Sequence, residues 1–334
     1  IKKFRQLDSK TAGHPEKDFQ LGIDTTTGPL GQGFANGVGL ALAEKYLASI
    51  FGDDVIDHYT FGIVSDGDLM EGITTEAAEL AGLWKLGKLI YFFDDNNISI
   101  DGNVSKVSIT NQKEKFLSMG WHVLEIDAHV EADIIEAVES AKKEKNNPTL
   151  IISKSIIGKF APNKSNTSNV HGAPLGEEEF QLFLNNIDFS GDPFEHGKEI
   201  YTYFDSKRDV DNSKYEDWKS NLESKLNSDQ DFKKSWEQFN KVEIDEIVFD
   251  WSNDDASRNI GGKILNELGK THKFIIGGSA DLAASTKQIV SDSIFSSENY
   301  GGNNIEFGIR EHAMGGIING LSLIHISEPT RPID

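Results

Sequence analysis

Cysteine is absent from the sequence. That excludes disulfides and thiolate chemistry, and it leaves His, Asp, Glu and Asn to hold any metal. The absence fits a reducing compartment, and the cytoplasm is the expected location. No apolar run reaches membrane-spanning length, so no membrane partner is expected. Positive charge is scarce: 33 Lys and Arg stand against 54 Asp and Glu, a net charge of −21. Such a chain repels nucleic acid and anionic lipid, which leaves small molecules or proteins as partners and requires local positive features for any phosphate. There is no internal repeat and no low-complexity tract. The opening "IKKFRQLDSK" does not read as a signal peptide, and the chain is expected to begin inside a domain.

What is present is a globular composition, 37% hydrophobic and 26% charged, over 334 residues, enough for more than one domain. Thr27–Phe51 reads as a glycine-rich turn opening a long helix, with Gly33, Gly37 and Ala41 forming a smooth face for close packing. Then "HYTFGIVSD" reads as a buried strand and "EGITTEAAELAGLWKLG" as a helix with Gly87 as its C-cap. A second buried strand, "KLIYFFDDN", is followed by a helix over 112–119, the strand "WHVLEID", a helix over 131–145 and the strand "PTLIISKSI". This alternation predicts an α/β fold built on a doubly wound parallel sheet. Residues 186–250 are rich in Lys, Asp, Asn and Ser, with aromatics at amphipathic-helix spacing, and read as a connector. A second, similar α/β domain starts at residue 251 and is expected to run to 323. The final stretch, 324–334, breaks the pattern and resembles a translated sequencing adapter, so it is expected to be a non-native tail.

The stretch "IVSDGDLMEG" poses the chemical question, because an apolar strand ends on Asp66 and Gly67 where a helix begins. An aspartate there can cap the helix, or it can hold a metal. The next strand ends on Asn96 and Asn97, and in a parallel sheet both segments finish at the carboxyl edge, where ligands bind. A carboxylate, an amide oxygen and a backbone carbonyl form an all-oxygen set that suits Mg²⁺ or Ca²⁺, with phosphate oxygens and water completing it. Taken singly, each motif reads better as a cap or a turn. Together, on successive strands, they favour a metal–diphosphate site.

These residues resemble the thiamine diphosphate signature. Seven further stretches resemble the transketolase family in its order: "FRQLDSKTAGHPE", "TTTGPLGQGFANGVGLALAEK", "DGDLMEG", "DDNNISIDG", "HGAPLG", "GGSADL" and "FGIREHAMG". The resemblance spans about Ile1 to Leu323 and is weakest over the connector. It implies a thiamine diphosphate-binding fold, with a diphosphate-binding domain over 1–185 and the start of a pyrimidine-binding domain over 251–323. It also implies ketol transfer between sugar phosphates in carbohydrate metabolism, by a homodimer whose sites are shared between subunits.

The implied roles follow position by position. Asp66, the side chain of Asn96 and the carbonyl of Ile98 would bind Mg²⁺, with Ca²⁺ as a substitute. Gly67 would admit the diphosphate. Gly28 and Leu30 would contact the diphosphate and aminopyrimidine regions, Glu71 would belong to the network beneath the cofactor, and Ile100 would line the thiazolium side. His14 and His171 would serve substrate and proton handling, His171 also reaching the cofactor. Arg258 and Ser285 would hold the sugar phosphate, and Asp281 would lie at the cofactor cleft. Glu311, supplied by the neighbouring subunit, would hydrogen-bond the aminopyrimidine and so activate the cofactor.

Departures from the family pattern are Ser65 for the usual glycine, Ala12 in "TAGHPE", and variation around Ser285. Family segments before "FRQL" and beyond "NGLSL" are missing, so the chain by itself is expected to be inactive. Two readings stay open beside ketol transfer: a dihydroxyacetone synthase-like thiamine enzyme, and an inert fragment. A nucleotide-binding oxidoreductase is rejected, because "GQGFAN" places Asn36 where the third glycine belongs and no buried strand precedes it.

Overall fold

The computed structural model describes residues 2–241 and 255–325. Helix α1 (Gln32–Phe51) precedes strand β1 (Thr60–Val64), followed by α2 (Asp66–Met70), α3 (Gly72–Leu83) and β2 (Leu89–Asp95). A small hairpin, β3 (Ile98–Ser99) and β4 (Gly102–Asn103), leads to α4 (Gln112–Ser118), β5 (His122–Asp127), α5 (Glu131–Lys143) and β6 (Thr149–Lys154). Helix α6 (Glu177–Asn186) closes this unit, and two helices lie in the connector: α7 (Lys198–Ser228) and α8 (Gln230–Phe239). The second unit contributes α9 (Ser257–Thr271), β7 (Gly277–Ser279), α10 (Ala283–Thr286), β8 (Asn304–Glu306) and α11 (Glu311–His325). The fold is α/β: β1, β2, β6 and β5 form one parallel sheet in that order, and β7 pairs with β8 in parallel.

The central strands β2 and β6 are near-continuous apolar runs because they are flanked on both edges and covered on both faces. Helix α1 is buried nearly all round, with Phe34 stacked on Tyr91 at 4.3 Å between ring centroids. The expected small-residue face on α1 carries only part of its close packing. A side chain on Gly37 would strike the hydroxyl of Tyr91, while Gly39 faces α11. There a Cβ would lie 2.0 Å from the carbonyl oxygen of Ile317, and the reciprocal Cβ on Gly320 would lie 1.9 Å from that of Asn36. The two helices therefore cross at backbone contact, and a single core runs from Phe34 through the sheet to Leu321.

The connector is helical, as its aromatic spacing predicts. In α8, Phe232, Trp236 and Phe239 close around Phe51 at the end of α1. Helix α7 buries no residue and is held near its C-terminal end, where Trp218 donates to the Val55 carbonyl and Lys225 pairs with Asp54 at 2.7 Å.

Several sequence expectations need correction. Gly87 is not the C-cap of α3, whose last turn closes at Trp84. Gly87 is needed instead because a Cβ there would meet the Lys145 backbone. The strand expected over "KFIIGGSADL" shrinks to Gly277–Ser279. Helix α11 continues through His325, past the expected boundary at Leu323, and the remainder of the expected tail lies outside the described residues, as does the end of the connector. Among the described residues, no helix is long and apolar enough to cross a membrane.

Candidate functional site

The register pairs Val64 of β1 with Phe93 of β2, so Asp66 emerges from the sheet beside Asp94 and Asp95. The cap of α2 is Ser65, not Asp66. The Ser65 hydroxyl accepts from the Asp68 N–H, and the Asp68 carboxylate accepts from the Ser65 N–H at 2.8 Å, a reciprocal capping box. The helix-cap explanation of Asp66 is thereby removed. Burial, then the nearby carboxylates of Asp95 and Asp94, push the Asp66 carboxyl up to about 6.

Asn96 does form a turn. Its amide oxygen accepts from the Ile98 N–H at 2.9 Å and its amide nitrogen donates to Asp94 at 2.8 Å. Asp94 also takes the Ser155 hydroxyl, and Asp95 lies 3.5 Å from Lys154. Asn97 turns the chain in the left-handed region, with φ at 61°. The amide oxygen of Asn96 keeps a second lone pair. A half-buried carboxylate pushed up in this way, with two more carboxylates beside it, suits a divalent cation, whose charge would replace the proton. Among the described residues, no group of three or more His, Asp or Glu is arranged to hold a metal alone. A metal at Asp66 would thus draw on amide, carbonyl and ligand oxygens. The donor set fits the expected site. A cavity of about 500 Å³ adjoins it, lined in part by Asp66, Asp95, Asn97, Lys113 and Lys154.

The glycine-rich turn packs directly against this edge. Gly28 has φ at 57°, and Gly31, with φ at 81°, begins α1. A Cβ on Gly31 would lie 2.9 Å from Cβ of Glu71, and one on Gly67 would lie 2.8 Å from Cδ1 of Leu30. Gly67 lies inside α2 without a positive φ, and its missing side chain leaves room beside Leu30. Leu30, Asp66, Gly67, Glu71 and Asn96 therefore gather along one sheet edge, Gly28 lies two residues before Leu30 in the same turn, and Ile98 follows on β3. Ile100 is 72% exposed in the hairpin turn.

The other expected residues lie apart. His14 is exposed, and His171 is half-buried, with its Nδ1 enclosed and lacking a hydrogen-bond partner among the described residues. Arg258 on α9 and Ser285 on α10 are exposed on neighbouring helices, and Asp281 is exposed with φ at 60°. Glu311 is the first residue of α11 and is exposed. The neighbouring Arg310 pairs with Glu79 of α3 at 2.8 Å. The start of α11 is fastened to α3, where the Glu76 carboxylate accepts from the Ala313 N–H at 3.0 Å. It is also fastened to α1, through Gln32 and His312 at 2.8 Å. No hydrogen bond or ion pair among the described residues joins Glu311 to the Asp66 turn.

Two residues that the sequence reading passed over hold this edge together. Asp68 reaches back to Gly31, and the buried Tyr91 hydroxyl donates to the carbonyls of Gly33 and Phe34. The spacing of Ser65 and Asp68 is a capping-box signal that could have exposed the first. Nothing local in the sequence marks the second.

Residues 1–243 match the family model for the transketolase thiamine diphosphate binding domain, and residues 255–329 match that for the transketolase pyrimidine binding domain. Transketolase of Bacillus subtilis is 40% identical over 342 residues, covering 97% of this chain and 50% of that protein. Transketolase 1 of Escherichia coli is 41% identical over 345 residues, covering 97% and 51%. Among solved structures, transketolase from Campylobacter jejuni matches with a TM-score of 0.89 at 40% identity, covering 97% of this chain and 50% of that one. A Pichia stipitis transketolase mutant in complex with xylulose 5-phosphate matches with a TM-score of 0.91 at 33% identity, covering 96% and 50%. The chain spans about half the length of the curated relatives it matches.

Proposed function

The chain belongs to the transketolase family, and from that premise we propose that its site serves transfer of a two-carbon ketol unit from a ketose phosphate to an aldose phosphate, with thiamine diphosphate and Mg²⁺. The observation that carries this reading is the convergence of Asp66, Asn96 and the Gly28–Gly31 turn on one sheet edge, with the Asp66 carboxyl pushed up by burial and by its carboxylate neighbours. When bound, the thiamine group supplies the electron sink that C–C cleavage beside a carbonyl requires.

The chain's own residues supply binding and orientation. Asp66, the Asn96 amide oxygen and the Ile98 carbonyl would hold the metal, for which Ca²⁺ is a chemically suitable substitute. Gly67 and Gly28 leave the diphosphate close access to the backbone. Leu30 and Ile100 offer apolar surface to the rings, with Glu71 beneath them and Asp281 at the cleft. His14 and His171 orient sugar hydroxyls and move protons. The enclosed, unpartnered Nδ1 of His171 is a nitrogen whose role a ligand would complete. Arg258 and Ser285 take the sugar phosphate, which favours phosphorylated substrates over a dihydroxyacetone synthase-like reaction. Glu311 is exposed, and no hydrogen bond or ion pair among the described residues joins it to the Asp66 turn of its own chain. Its proposed task, accepting a hydrogen bond from the aminopyrimidine, therefore belongs to the site of a second subunit, which makes the working unit a homodimer. We place it in the cytoplasm on the absence of cysteine alone.

Calorimetric titration of the chain with thiamine diphosphate, with and without Mg²⁺, tests the cofactor reading. Mg²⁺-dependent binding is expected, and Asp66→Ala should weaken it at least 100-fold, as loss of a charged metal ligand does (roughly 3 kcal/mol). Binding that is indifferent to Mg²⁺ or to Asp66→Ala would reject the metal assignment.

A further inference from the structure

Asp68 is a second carboxylate two positions from Asp66, at a place where a diphosphate is proposed to bind. An unpartnered negative charge there would repel the ligand. The structure shows where that charge goes. One oxygen accepts from both the N–H and the hydroxyl of Ser65, each at 2.8 Å, and the other accepts from the N–H of Gly31 at 2.9 Å, 37 residues away in sequence. Three donors converge on its two oxygens, so both oxygens are taken up by the protein's own groups. The Thr74 hydroxyl fixes the same residue from behind, donating to the Asp68 carbonyl at 2.5 Å.

Gly31 ends the turn that carries Gly28 and Leu30, and Ser65 directly precedes Asp66. We propose that Asp68 is a positioning residue that clamps the cofactor-contacting turn to the metal-bearing turn, so that metal and diphosphate meet one preformed site and each strengthens binding of the other. This rests on the cofactor reading above. Side chains on either side of the clamp are already fitted: Leu30 lies over Gly67, and Gly31 sits against Glu71 and Ile73 with no room for a Cβ. Tyr91 pins the following turn of α1 from the other side, so release of Asp68 frees the Gly28–Gly31 segment and leaves the helix in place. The clamp separates two quantities that an ordinary stabilising contact would not: affinity for thiamine diphosphate, and the factor by which Mg²⁺ improves that affinity.

The test compares wild type, Asp68→Asn and Ser65→Ala. Each is titrated with thiamine diphosphate with and without Mg²⁺, and each is unfolded in urea without ligand. Asparagine offers one acceptor and turns an NH₂ toward N–H donors, whereas Ser65→Ala leaves the Gly31 bond intact. Asp68→Asn should lose about tenfold or more in affinity with Mg²⁺ present, and much of the Mg²⁺ enhancement. Ser65→Ala should keep both, with a comparable loss of unfolding midpoint. Asp68→Glu displaces the carboxylate by one methylene and should lose the enhancement too, which decides the matter should Asp68→Asn not fold. Wild-type affinity and Mg²⁺ enhancement in the Asp68 variants would overturn the clamp and leave the cofactor reading standing. Equal losses in Ser65→Ala would overturn it also, by assigning the effect to the α2 cap. Absence of Mg²⁺-dependent binding in wild type would instead overturn the cofactor reading, and the clamp with it.

Discussion

At the scale of single residues, Asp66 carries the clearest electrostatic signature. Its carboxyl is held at about 6 against an ordinary 3.8, so the folded state binds the proton more tightly than the unfolded chain does. Metal-free stability from this group therefore falls as pH rises from about 4 to about 6 and stays at its lower value above that. Asp66→Asn should match wild type near pH 4 and become the more stable chain by pH 7, by about 1 kcal/mol once the half-exposure of the group is allowed for. Urea unfolding of both chains across that range, without divalent ions, checks the difference. Added Mg²⁺ should erase it by replacing the proton. Asp66, Asn96 and Gly67 were legible in the sequence as residue types at strand ends. That Ser65 takes the cap was signalled only by its spacing from Asp68, because two acids in one short turn compete for the role and the paired hydrogen bonds decide between them.

At the scale of elements, the crossing of α1 and α11 is the most constrained contact. A methyl group at Gly39 would sit 2.0 Å from a backbone oxygen, which no rotamer change can relieve. Gly39→Ala should destabilise the chain by about 2–3 kcal/mol, as overpacking does, by forcing the helices apart. Gly72→Ala, where nothing lies within 4 Å, should change little. Equilibrium unfolding of the two variants makes the comparison. Most elements of the first unit were readable from alternation and apolar runs, since a buried parallel strand has little choice of composition. Gly33, Gly37 and Ala41 announced close packing, but not that Gly39, on another face, would meet a helix hundreds of residues later. Gly87 misled for a related reason: a glycine after a helix resembles a cap, whereas this one answers to the distant Lys145 backbone. The short β7 was overread because "KFIIGG" has strand composition without partners along its whole length.

At the scale of the molecule, the proposed sharing of sites can be tested by complementation in a chain of the relatives' full length. Asp66→Ala and Glu311→Gln should each abolish ketol transfer. Mixed dimers of the two would pair the intact Asp66 of one chain with the intact Glu311 of the other. Random mixing should restore about a quarter of wild-type activity, since half the dimers are mixed and each regains one of two sites. Sites complete within one chain would give no restoration. The crossed glycine helices also bear on synthesis. Residues of the first helix reach their final neighbours only when α11 has been made. At roughly 5–20 residues per second, the bare face of α1 waits from about a quarter of a minute to a minute on the ribosome. For that interval the nascent chain presents an uncovered strip of backbone and small side chains. The order of manufacture, rather than the finished fold, sets when it most needs a chaperone.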